Sequence, residues 1–242
     1  MYQVPEQIST PQIIFQDQDL MIIDKPSGMV INDSQTAMAR QTLQGWLTKF
    51  DYEISKDNLL RSGIVHRLDK ETSGIVIVAK NASCFYNLQD QFKSRLVSKN
   101  YIALAHGELD QSVGVIKEAV GRLPWGRGKF GVMIDGRDAI THYKVLKIFT
   151  RDSDKYSLLE LEPKTGRTHQ IRIHLKHIGH PIVADAFYAG RKTSKRDRQW
   201  CPRLFLHAYK ISFIHPVSKK KLTFMANLPV DLQEVQNQLS LN

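Results

Sequence analysis

Apolar residues recur at two different spacings along the chain, and the predicted element changes where the spacing changes. Short apolar runs at Ile13 to Phe15 and Leu20 to Asp24 predict strands on either side of the turn-like Gln16 to Asp19. Lys25-Pro26-Ser27-Gly28 then breaks the second run. Leu43, Trp46, Leu47 and Phe50 fall at helical spacing, so a helix over 41–50 is predicted with one apolar face against a sheet. The polar stretch 51–63 reads as a connecting loop, and the β-branched run Ile75-Val76-Ile77-Val78-Ala79 as a buried strand. Asn81 suits the cap of a helix through Leu96, whose inner stripe would be Phe85, Leu88, Phe92 and Leu96. A strand from Lys99 to Ala105 follows.

The second half is richer in strands. Gly114 to Asp138 is dense in Gly and Arg, with Trp125-Gly126-Arg127-Gly128-Lys129 in its middle, and predicts a mobile basic flap rather than core. Alternating runs at 139–149 and 156–162 predict an antiparallel pair across the polar turn 150–155. Thr168 to Gly179 fits both periods, because His169 to Leu175 nearly alternates while Ile171, Leu175 and Ile178 keep helical spacing. A helix is predicted there: Thr168 can cap it, Gly179 can close it in a left-handed conformation, and Pro181 lies just beyond. Strands over 204–214 and 221–225 meet at the turn His215 to Lys220, and a short helix starts at Asp231. No repeat, low-complexity tract or linker divides the chain, so one domain over 13–242 is expected behind an N-terminal tail of residues 1–12.

Composition narrows the partners. In 242 residues, 34 Lys and Arg face 24 acids, a net charge of +10 that favours a polyanionic partner and says nothing of fold. Cys84 and Cys201 stand apart without metal or disulfide spacing, which fits a reducing compartment, and no apolar segment approaches membrane-spanning length. A cytoplasmic protein without membrane association is expected. His169, His174, His177 and His180 are separated by five, three and three residues, which reproduces no standard zinc spacing, so contacts to the polyanionic partner and polar packing are the better expectation. Gly126 and Gly128 lack the context of a phosphate-binding loop.

The densest chemistry lies in His66-Arg67-Leu68-Asp69-Lys70-Glu71-Thr72-Ser73-Gly74, which sets a carboxylate among basic side chains just ahead of the buried strand. Taken alone, a loop aspartate is a turn or cap residue. This wording, with Lys99-Asn100-Tyr101 before a strand and the later run Lys164-Thr165-Gly166-Arg167-Thr168-His169-Gln170-Ile171-Arg172, resembles the RluA-type pseudouridine synthases. The three motifs occur in the family's order, and the likeness runs from about residue 13 to 230.

The resemblance implies an α+β fold, a mixed and largely antiparallel central sheet flanked by helices, with the active site in a central cleft. It implies isomerisation of uridine to pseudouridine in structured rRNA or tRNA, with no cofactor and no metal, and a monomer is expected. Asp69 would be the catalytic carboxylate, either attacking ribose C1′ or drawing a sugar proton to give a glycal. A dry pocket can raise an aspartate pKa from about 3.9 by roughly 3–5 units, which an adjacent arginine offsets by about 1–3 units. Arg172 is expected in that role on the strength of the resemblance, since pattern alone makes it an exposed helical arginine. Tyr101 would stack on uracil or accept the C5 proton. Arg67 would fill the space left by a flipped base. His66, Lys99, Arg167, His169 and Gln170 are expected RNA contacts. So are Arg191 and Lys192 of the basic run 191–198, which is expected to be a loop with Tyr188 and Trp200 as an aromatic edge. Lys25-Pro26-Ser27-Gly28 also matches a family motif, but a structural task is expected of it.

Many relatives carry an N-terminal S4 RNA-binding domain. None is expected here, because the family motifs start close to the first residue, so target choice is expected to come from the catalytic domain. Two other classes remain open at this stage. One is a non-catalytic RNA-binding or ribosome-assembly protein on the same fold. The other is a glycoside hydrolase or nucleosidase, whose chemistry usually needs a pair of carboxylates where only one is convincing here.

Overall fold

The structure is a computed structural model that describes residues 9–32, 42–124 and 129–241. Trp125 to Gly128 of the expected flap, and most of the expected N-terminal tail, lie outside the described residues. In chain order the elements are β1 (Gln12–Gln16), β2 (Leu20–Lys25), α1 (Leu43–Leu47), β3 (Ser73–Ala79), α2 (Ala82–Lys93), β4 (Ser98–His106) and β5 (Val113–Lys117). They continue with β6 (Val120–Arg122), β7 (Phe130–Val132), β8 (Ile140–Arg151), β9 (Asp154–Pro163), α3 (Gln170–His177) and α4 (Arg191–Asp197). Last come β10 (Leu206–Ile214), β11 (Lys221–Met225), α5 (Val230–Asn237) and β12 (Ser240–Leu241). The class is α+β, with a large, mostly antiparallel sheet and few helices.

The chain divides into two compact units, each discontinuous in sequence. One, called here the Asp69 unit, holds the described residues up to Ser98 together with Ala208–Asn227. Its strands β1, β2 and β3 pair antiparallel in sequence, with Lys25 opposite Gly74, and β11 pairs β10. All seven residues of β3 are buried, as a β-branched run covered on both faces should be. Asn81 caps α2 as expected, its Oδ1 accepting the Cys84 N–H at 2.9 Å. Phe85 and Leu88 of the predicted stripe are buried, and full burial of a leucine contributes about 1.5–3 kcal/mol. Leu96 is 58% exposed, because α2 ends at Lys93 and the chain has left the helical course by then. Gly74 has φ +118°, and a Cβ there would collide with the Ala208 backbone, so the glycine ending the Thr72-Ser73-Gly74 motif permits a close strand approach.

The other unit, the Arg172 unit, holds Lys99–His207 and the chain from Leu228 onward. Its spine is the long β8–β9 hairpin, which turns at Asp152 and Ser153; β4 pairs β9, with Tyr101 opposite Leu161, and β5 pairs β8. A separate core of Leu104, Leu159, Leu175, Val183, Phe205 and Leu232 fills it. Two expectations change here. The described residues of the expected flap contribute to a core: β6 and β7 form a two-stranded sheet, and Val120 packs with Ala139 and Ile173 in a small cluster of their own. The basic run from Arg191 is a helix rather than a loop, because Ser194 and Asp197 turn inward and anchor it.

Candidate functional site

Asp69 sits half-buried in the loop that leads into β3, at the start of a turn closed by Thr72 N–H donating to the Asp69 carbonyl at 3.1 Å. What holds that turn is the motif the sequence reading left without a catalytic part. Lys25 is 0% exposed, and its Nζ donates to the carbonyls of Pro26 (2.8 Å), Met29 (3.1 Å) and Lys70 (3.4 Å). Ser27 Oγ donates to the Glu71 carbonyl at 2.7 Å, and Gly28 N–H to the Lys70 carbonyl at 2.8 Å. The two residues after Asp69 are thus pinned from β2 by an ammonium, a hydroxyl and an amide. An ammonium with three donors suits such a ring of carbonyls. The task expected of Lys25-Pro26-Ser27-Gly28 is structural, and its object is the Asp69 loop.

Arg67 is exposed on the same loop. His66 is engaged inward: its Nε2 accepts the Ile77 N–H at 3.0 Å, and its ring lies 4.8 Å from that of Phe92. A nitrogen that accepts an N–H carries no proton of its own, so in this form the Nε2 of His66 braces β3.

In the Arg172 unit, Tyr101 is half-buried on β4 and packs against the core. Lys99, two residues before it, reaches toward Gly166 in the turn ahead of α3, its Nζ 3.9 Å from where a Cβ on that glycine would stand. Burial pulls its ammonium below the ordinary lysine range, because desolvation disfavours the charged form. Arg167 is half-buried, with Nε donating to the Asp138 carbonyl at 3.1 Å.

Helix α3 is present, but Thr168 is not its cap. His169 occupies that position with a left-handed backbone (φ 55°), and the start is organised by Gln170. Gln170 Oε1 accepts from Arg167 N–H (3.0 Å) and Thr165 Oγ (2.7 Å), while its Nε2 donates to Ile140 O and Thr141 Oγ, both at 3.0 Å. At 4% exposure with both ends of its amide engaged, Gln170 is a structural knot, not the outward RNA contact expected. Gly179 closes the helix left-handed as predicted (φ +87°).

Arg172 is 3% exposed, contrary to the exposed helical arginine that pattern alone suggests. Its Nε and Nη2 donate to Asp185 Oδ2 and Oδ1, each at 2.8 Å, a bidentate pair with a fully buried carboxylate. Its guanidinium also lies over the rings of Phe187 (5.4 Å) and Tyr188 (5.1 Å). Asp185 accepts in addition from the N–H groups of Phe187 (2.9 Å) and Tyr188 (3.1 Å). The sequence reading missed Asp185. The available signal was a lone acid closing the apolar run Ile182-Val183-Ala184, where an acid is buried only if paired.

The four histidines have separate tasks. His169 Nδ1 bonds Tyr188 Oη at 2.8 Å and His180 Nδ1 the His106 carbonyl at 2.8 Å, while His177 lies 3.8 Å from Glu118. His174 is fully buried between Thr141 Oγ (2.9 Å) and the Glu118 carbonyl (3.0 Å), and desolvation holds it below the usual histidine pKa. On α4, Arg191 and Lys192 are exposed, while Asp197 Oδ2 accepts from Ala184 N–H and meets His106 Nε2, both at 2.9 Å. Trp200 packs on Tyr156 and Arg151, so it is not the expected aromatic edge of a groove.

The family model for RNA pseudouridylate synthase matches residues 19–177, which include Asp69, Tyr101 and Arg172. The chain belongs to this family, whose members are isomerases that act on RNA. A Bacillus subtilis relative named as an uncharacterized RNA pseudouridine synthase is 35% identical over 95% of this chain and 73% of its own length. Ribosomal large subunit pseudouridine synthase D of Nitrosomonas europaea is 37% identical over 93% of this chain and 65% of its own. The chain therefore spans about two thirds to three quarters of these relatives. The solved structure of human RNA pseudouridylate synthase domain containing 1 superposes with a TM-score of 0.76 at 26% identity, covering 99% of this chain and 92% of that one. The RluA-type resemblance and the α+β fold it implied both hold.

Proposed function

We propose that the chain converts specific uridines of structured ribosomal or transfer RNA to pseudouridine, with ionised Asp69 as the essential group. The bond from ribose C1′ to uracil N1 breaks, the base turns, C1′ joins C5, the C5 proton leaves and N1 is protonated. Nothing is hydrolysed or oxidised, so atoms and electrons balance within the substrate. Asp69 opens this sequence by attack on C1′ or by removal of a sugar proton toward a glycal. Arg172 supplies the positive charge that keeps a carboxylate ionised in a dry pocket. Tyr101 stacks on the uracil or takes the C5 proton, and Arg67 fills the space left by the flipped base, offsetting an unstacking cost of a few kcal/mol. Arg67, Lys99, Arg167, His169, Arg191 and Lys192 remain our choice of RNA contacts. The two buried, unbridged thiols, Cys84 and Cys201, support a reducing cytoplasmic setting.

One observation carries this reading: the Asp69 loop is fixed by Lys25, Ser27 and Gly28, as preorganised catalysis requires of a carboxylate that must meet one sugar carbon. The test is to incubate the protein with unmodified total RNA and map pseudouridine by carbodiimide-dependent reverse-transcription stops, with Asp69→Asn alongside. New stops that vanish in the variant are expected. Unchanged RNA despite tight binding would replace the reading by a non-catalytic RNA binder, and free uracil with abasic sites by a nucleosidase.

A further inference from the structure

Phe187 is 60% exposed, yet its backbone is tied to the buried ion pair beneath it. Its N–H donates to Asp185 Oδ1, and Asp185 is itself locked in the buried pair with Arg172, so the backbone under the ring is fixed. The Arg172 guanidinium lies over the ring, and the rings of His169 and Tyr188 stand 5.9 and 6.4 Å from it, centre to centre. Single exposed apolar side chains are ordinary on a protein surface. This one differs in being an open aromatic face with an arginine against it, braced by two neighbouring rings. Four and five residues on, the exposed Arg191 and Lys192 open α4, and the inward anchors Ser194 and Asp197 leave the basic side chains of that helix outward.

An exposed π-face with two exposed cations four and five residues on, in a chain of net charge +10, is complementary to one ligand chemistry, a nucleotide whose base is unpaired. We propose that Phe187 is a stacking platform for an unpaired base of the RNA, with Arg191 and Lys192 taking phosphates that flank it. This rests on the RNA reading above and adds to it a recognition point outside the Asp69 loop. Because any base has a π-face, the platform selects unpaired over paired RNA rather than one sequence over another. It would therefore favour uridines in loops or bulges.

The test is fluorescence anisotropy with a labelled single-stranded oligouridylate, and with its duplex with oligoadenylate, at several salt concentrations. Phe187→Leu, similar in bulk but without a π-face, and Phe187→Ala should weaken binding of the single strand by roughly 5- to 150-fold. Phe187→Trp should bind at least as tightly as the wild type, and duplex binding should be little changed in all three. Arg191→Ala and Lys192→Ala should each reduce the salt slope by about 0.7. Thermal unfolding of each variant separates lost binding from lost fold, and because the ring is exposed the Leu variant should melt like the wild type. Equal single-strand affinity for wild type and Phe187→Leu would overturn the platform alone, provided Asp69→Asn still binds and loses isomerisation. Failure of the wild type and of Asp69→Asn to bind either RNA would overturn the platform and the RNA reading together.

Discussion

Each unit buries a cation, and the hydrogen bonds that hold the two differ in kind. In the Asp69 unit, Lys25 is held by the carbonyls of Pro26, Met29 and Lys70. In the Arg172 unit, Arg172 is held by the two carboxylate oxygens of Asp185. The ammonium is a compact point charge whose donors rotate to meet scattered carbonyls, so it can tie a loop to a strand. The guanidinium is a planar fork that accepts one orientation, so it fixes a direction for whatever anion it meets next. One cation ties down backbone carbonyls and the other a buried carboxylate. The burial cost also differs, because a buried arginine with no counter-charge is far more expensive than a carbonyl that loses one of its donors.

The largest expected effect comes from breaking the ion pair on one side. Asp185→Ala should cost about 3–5 kcal/mol in denaturant unfolding, because it removes both carboxylate bonds from a buried guanidinium. Arg172→Met combined with Asp185→Leu should recover much of that stability while leaving isomerisation lost; failure to recover it would mean that the pair stabilises beyond cancelling its own burial. Lys25→Met comes next, at about 1–3 kcal/mol for the Met29 carbonyl it leaves unmet. Its signature should be kinetic, with turnover in a single-turnover assay falling further than the stability change accounts for, because the Asp69 loop loosens. If the rate follows stability alone, Lys25 is only a packing residue.

The smallest effect belongs to His174, a titratable group buried without any counter-ion in its two hydrogen bonds. Its folded pKa is depressed by desolvation, so the unfolded chain takes up the proton first. Stability should therefore be complete above the ordinary histidine value of 6.5 and fall as pH drops below it, toward the lower folded value. Melting temperature measured from pH 7.5 to 5 should decline for the wild type and more shallowly for His174→Gln. Parallel curves would assign the acid sensitivity elsewhere.

What could be read in advance depended on how local the cause was. The strand β3, the Asn81 cap, the β8–β9 hairpin and the Gly179 stop each follow from a few adjacent residues, and each appears close to its expected place. Helix α3 looked ambiguous because Gln170 to Leu175 are all buried, and a helix covered on every side loses the one-sided pattern that announces it. The basic run at Arg191 looked like a loop because the inward turn of Asp197 depends on Ala184 and His106, which are distant in sequence. The inward facing of Gln170 was not legible because polar residues within a motif give no sign of which way they face, and its partners Ile140 and Thr141 are distant in sequence. The packing of Trp200 on Tyr156 and Arg151 was hidden for the same reason, since both lie on the far-off hairpin.

By itself, the sequence determined the chemistry available and the family: motif order and residue identity put Asp69, Tyr101 and Arg172 within the matched stretch 19–177. The buried strand β3, the Asn81 cap and the Gly179 stop were settled with it, because backbone preference and near-neighbour hydrogen bonds act within a few residues. Only the tertiary structure decided that Lys25 is a clamp, that Asp185 is the buried partner of Arg172, and that Phe187 stays open while Gln170 closes. Those outcomes turn on desolvation and on the pairing of buried polar groups, which depend on what the rest of the chain brings within 3 Å or so of a side chain.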